Sequence, residues 1–87
     1  MSKEITPRFK NRTNAGKNNH CGKAVARLRR AAGISQRMLA ERLQLLGLDV
    51  DKNAVQRIES GQRFVTDIEL LALSRVFSVE IRDLISE

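Results

Sequence analysis

Three side chains near the middle of the chain, Asn53, Gln56 and Arg57, have the types and spacing to read a nucleic acid. Arginine can pair bidentately with the O6/N7 edge of guanine, and asparagine or glutamine with the N6/N7 edge of adenine. The pairing needs side chains fixed on one side of a rigid element. A helix provides this, because each residue turns it by about 100°. Asn53, Gln56 and Arg57 then face one way, while Val55 and Ile58 face the other.

The elements that must hold this face follow from the surrounding stretch, SQRMLAERLQLLGLDVDKNAVQRIESG, residues 35–61. It reads as two short amphipathic helices joined by a glycine-containing turn. Leu39, Leu43 and Leu46 recur at helical period and predict one buried stripe. Upstream, a first helix over 22–32 would bury Val25, Leu28 and Ala32 and expose Lys23, Arg27 and Arg30, with Arg29 beside the stripe. Gly33 can end it in a left-handed conformation. Ser35 is the candidate N-cap of the second helix, whose first N–H groups would stay open to an anion. That helix runs to about residue 46, where Gly47 stops it. Asp51 or Asp49 caps the third, over 52–60, and Gly61 closes it. Thr66 and Glu69 have the spacing of a capping box and start a fourth helix. Its stripe is Leu70, Leu73, Val76 and Phe77, with Leu71 at the margin. A last short helix over 79–86 follows Ser78 and would bury Ile81, Leu84 and Ile85. Five helices with short links, and no period-two alternation of β-branched residues, predict a compact all-α domain.

Composition narrows the function classes. The 87 residues suit one small domain. Three Phe and no Trp or Tyr leave an aliphatic core. A single Cys forms no internal disulfide, and one His with one Cys is too few for a protein zinc site, so no metal or cofactor is expected and a reducing cytoplasm fits. His20 and Cys21 are accordingly not read as a metal or redox pair. No apolar run approaches the ~20 residues of a membrane span, and no secretory h-region opens the chain. With one His, no nucleophile–base pair and no phosphate-cradling glycine loop, catalysis on a small molecule is not expected.

Charge points to an anionic partner: the formal net charge is +6 and the pI about 10.5. Residues 1–23 hold six basic groups against Glu4, whereas residues 24–87 hold ten against nine acidic ones. Residues 1–21 read as a flexible basic arm. Two readings of it stay open, a solubilising tail and an arm that touches phosphates. Residues 22–87 form the folded domain.

The segments LRRAAGISQRMLAERL, VQRIESGQR and ELLALSRVFSVEIRDL together resemble the Cro/Xre-type phage-repressor helix-turn-helix family over about residues 25–84. The resemblance implies a five-helix, repressor-like transcriptional regulator that lays its third helix in the major groove of double-stranded DNA. It puts Ser35 and Gln36 at a phosphate, with Arg37 alongside. Lys52, Asn53 and Arg57 fall where relatives approach bases, with Gln56 beside them. Ser60, Gln62 and Arg63 fall in a backbone-contacting loop. Ala40 takes a position that requires a small residue. Arg29 and Glu59 fall on a structural ion pair, and both border the apolar stripes of their own helices.

One departure stands out. The family joins its second and third helices by a short L-G-V-S turn, and this chain is about five residues longer there. Leu45 and Leu48 are surplus to the stripe; extra core packing is the expectation, and an apolar patch joining two subunits the alternative. The same surplus supports a second function class, a protein-binding adaptor on the same fold. A homodimer on DNA would imply half-sites roughly 34 Å apart.

Overall fold

The computed structural model describes residues 16–86, so the basic residues Lys3, Arg8, Lys10 and Arg12 lie outside the described part. Its helices are α1 (Gly22–Ala31), α2 (Gln36–Leu45), α3 (Lys52–Glu59), α4 (Asp67–Phe77) and α5 (Ile81–Ile85). The chain is all-α among the described residues, and none of these helices is long and apolar enough to cross a membrane.

The helix starts are local chemistry. Ser35 Oγ accepts the Met38 N–H at 3.0 Å, and Asp51 Oδ1 accepts the Ala54 N–H at 2.8 Å. Asp51, not Asp49, is therefore the cap of α3. Thr66 and Glu69 close a reciprocal capping box on α4, with bonds of 3.1 Å each way. Each cap satisfies donors that the first turn of a helix leaves orphaned.

The core gathers Val25, Ile34, Leu39, Ala40, Leu43, Val50, Val55, Ile58, Ala72, Leu73 and Leu84, with Cys21 among them. Burial at Ala40 fits the small residue expected there. Several stripe residues differ from their periodicity. Ala32 and Leu46 sit at helix C-caps and are exposed, because each helix ends before they can turn inward. Ile81 and Ile85 are exposed as well, since α5 is only five residues long and turns Leu84 alone into the core.

The long connection is ordered by two residues. Val50 is buried, and the Gln44 carboxamide donates to the Val50 carbonyl at 2.7 Å, pinning the approach to α3. Leu48 packs on the core as expected. Leu45 does not: it is 86% exposed, because Gly47 turns the chain at φ +93° before its side of α2 meets another element.

The segment before α1 also differs from the reading of a flexible arm that reaches Cys21. Residues 17–19 are hydrogen-bonded to the end of α3 and its following loop, and Cys21 is buried. This attachment is unreadable from local sequence, because its acceptors lie some forty residues away.

Candidate nucleic-acid interface

α3 packs chiefly on α2 and next on α1, while α4 and α5 pair with one another. The apolar side of α3, Val55 and Ile58, is fully buried, and Ala54 is half-buried beside it. Lys52, Asn53, Gln56 and Arg57 all lie exposed. An eight-residue helix thus has one side in the core and a polar, basic side facing outward.

Packing between α2 and α3 brings Lys52 beside the start of α2. Arg29, Ser35, Gln36, Arg37 and Lys52 line an open, shallow depression there. Arg37 and Lys52 are exposed and basic, Arg29 is paired with Glu59, and the N-terminus of α2 adds its own partial positive charge. Such a depression suits a phosphate, with Ser35 itself occupied as the cap.

Behind this surface sits a partly buried polar network. Arg29 Nε lies 2.6 Å from Glu59 Oε2, and Arg29 Nη2 lies 3.2 Å from Glu59 Oε1. Their side chains are only 13% and 7% exposed. Arg29 Nη1 also donates to the Ile34 carbonyl at 2.9 Å. The hydrogen bond to Glu59 raises the guanidinium's already high pKa, with desolvation opposing. Gln36 joins the network, its carboxamide donating to Glu59 Oε1 at 3.0 Å. One carboxylate therefore fixes α1, α3 and the first residue of α2.

The loop residues divide. Ser60 and Gln62 are exposed, and the Ser60 hydroxyl donates to the Arg57 carbonyl at 3.2 Å. Arg63 is half-buried, its guanidinium 2.9 Å from Glu69 Oε2. Its charge is committed to the capping box of α4.

Sequence reasoning missed Asn19. Its carboxamide oxygen accepts the Gly22 N–H at 2.9 Å, while its nitrogen donates to the Ile58 and Arg63 carbonyls at 3.1 and 2.8 Å. One side chain caps the start of α1 and the end of α3 together. An Asn three residues before a helix's first residue hints at the first bond; nothing local hints at the other two.

Comparison with known proteins agrees with this geometry. A helix-turn-helix family model matches residues 25–84, more than half of the chain. Among solved structures, the chain is similar to the restriction-modification controller protein C.AhdI from Aeromonas hydrophila, with 32% identity and a TM-score of 0.65. That match covers 75% of this chain and 91% of that one. No curated protein matches the chain. On its sequence, the five helices among its described residues and the exposed polar side of α3, the chain belongs to the Cro/C1-type helix-turn-helix family of DNA-binding regulators.

Proposed function

We propose that the protein is a sequence-specific, repressor-like transcriptional regulator that lays α3 in the major groove of double-stranded DNA. The opposition on α3 carries the reading: Val55 and Ile58 are fully buried, while Lys52, Asn53, Gln56 and Arg57 are exposed. In this reading Arg57 pairs with a guanine and Asn53 with an adenine, with Lys52 and Gln56 flanking them. Ser35, Gln36 and Arg37 at the start of α2, and Ser60 and Gln62 after α3, hold the backbone and set the register. Arg63, turned to Glu69, supports that loop and contributes little direct phosphate contact. The protein acts by binding, with no cofactor, metal or small-molecule substrate, and in the cytoplasm where the DNA is.

The likeness to a restriction-modification controller supports a controller of that kind as the biological setting. A homodimer is part of the proposal. α4 leaves Ile68 and Leu71 exposed, and α5 leaves Ile81 and Ile85, on helices that pair with each other rather than with α3. A second copy seated there would leave both α3 helices outward, reading half-sites roughly 34 Å apart.

Selection of bound sequences from random duplexes over a salt series tests the whole reading. The expected result is a symmetric preferred site and an affinity that falls steeply with salt. Absence of any preferred duplex, with salt-insensitive binding to a protein instead, favours the adaptor reading that the exposed Leu45 and Leu46 support.

A further inference from the structure

The turn that ends α3 closes on Arg57. The N–H groups of Gln62 and Arg63 both donate to the Arg57 carbonyl, at 2.9 and 3.2 Å, and the Ser60 hydroxyl donates to it at 3.2 Å. Asn19 braces this turn from outside the helix. Its carboxamide nitrogen donates one hydrogen to the carbonyl of Ile58, the residue after Arg57, at 3.1 Å. The other goes to the carbonyl of Arg63, at 2.8 Å. Arg57, Arg63, Asn19 and Ile58 thus form one closed ring of covalent and hydrogen bonds. The carboxamide is itself fixed, because its oxygen accepts the Gly22 N–H at 2.9 Å.

Capping α1 requires only that oxygen. The two donors do something else, and both act on the end of the helix that carries the reading side chains. The Arg57 side chain is exposed, so its aim is set by its own backbone. Bidentate pairing demands placement within about 0.5 Å and 10–20°. Arg57 stands two residues before the end of α3, where a helix frays first. Asn53, at the other end, is steadied by the Asp51 cap. Arg57 has its counterpart in Asn19, which lies outside the residues 25–84 that match the family.

We infer that Asn19 is a positioning residue for base recognition, holding the last turn of α3 so that Arg57 meets its base in register. The inference rests on the proposed function, and Asn19 reads no base itself.

The test uses the full chain with Asn19→Ser, Asn19→Ala, Arg57→Ala, and Asn19→Ser combined with Arg57→Ala, each measured well below its melting temperature. Serine keeps an acceptor for the Gly22 N–H, but its one hydroxyl hydrogen cannot serve two carbonyls. Alanine removes all three bonds, so Asn19→Ser decides if Asn19→Ala does not fold. Asn19→Ser is expected to weaken the selected duplex roughly five- to tenfold and to relax choice at the base position that Arg57→Ala relaxes. In the Arg57→Ala background the same change is expected to cost less than about twofold, since the group being aimed is gone. The slope of log K against log salt should keep the parent's value, because no phosphate contact is removed. A lower melting temperature with affinity and base choice unchanged overturns the inference and leaves Asn19 a structural brace. An equal loss in both backgrounds, or a lower salt slope, overturns it too. Each of these results spares the proposed function, which fails only if the parent chain itself prefers no duplex.

Discussion

Gly22 on α1 stands so close to Ile58 on α3 that a Cβ at position 22 would lie 2.5 Å from the Ile58 carbonyl oxygen and 2.8 Å from that of Glu59. Both obstacles are backbone atoms at the end of the helix proposed to enter the groove, so neither can swing aside. The same glycine's N–H is taken by Asn19 at 2.9 Å. The start of α1 thus serves as a stop against which α3 is positioned.

Gly22→Ala is therefore expected to destabilise the fold, although alanine is the better helix former by about 1 kcal/mol. Separating α1 from α3 should cost about 1–3 kcal/mol, a fall of several degrees in melting temperature for a domain of this size. Thermal unfolding checks it; an equal or higher melting temperature would show that α1 can shift without loss.

The network around Glu59 should behave as a unit. Glu59→Gln and Arg29→Met, each leaving a partly buried partner uncompensated, are expected to cost roughly 3–5 kcal/mol singly. The double variant should lose much less than their sum, since the two side chains share one interaction. Urea unfolding of all four proteins gives the coupling directly, and strictly additive losses would contradict the 2.6 Å pairing.

Arg57 and Arg37 are both exposed but are assigned different tasks. Arg57→Ala is expected to weaken the preferred site by about 1–3 kcal/mol and to relax choice at one base position. Arg37→Ala should weaken all duplexes alike and lower the salt slope by about 1. Because both side chains are exposed, neither change should alter stability by more than about 0.5 kcal/mol. Competition binding with single-base variants of the site separates the two outcomes.

Cys21 ties stability to alkaline pH. Burial, with a smaller push from the charge of Glu69, moves its thiol from the ordinary 9.0 up to about 11. A folded-state pKa above the unfolded one means that its contribution is intact below pH 9.0 and is lost as pH rises toward about 11. The loss should approach roughly 2–3 kcal/mol. Unfolding measured across that window, beside Cys21→Ala as the background for other titrations, isolates it. The native thiol should also react slowly with alkylating reagents near neutral pH, since thiolate is scarce and the side chain is covered.

Much of the fold was readable because its signals are local. Ser35, Asp51, Thr66 and Glu69 cap helices through bonds spanning three residues, and period alone puts Leu39, Leu43, Val55, Ile58 and Leu73 inside. The outward set Asn53, Gln56 and Arg57 follows from the same geometry, since a helix with one side buried has its other side fixed, whereas Lys52 was added by the family resemblance alone. Arg29 and Glu59 could be placed beside their stripes, though only the packing of α1 on α3 makes them 2.6 Å apart.

Tertiary structure decided where distant segments meet. It left Leu45 in solvent and drew Leu48 and Val50 inward, because the turn at Gly47 sets the path of the long connection. It turned Arg63 to Glu69, and it tied Lys17, Asn18 and Asn19 across more than thirty-eight residues to the end of α3. Periodicity reports which side of one helix is apolar. It carries no information on which backbone carbonyls another segment will reach, because those bonds depend on how two already-formed helices pack.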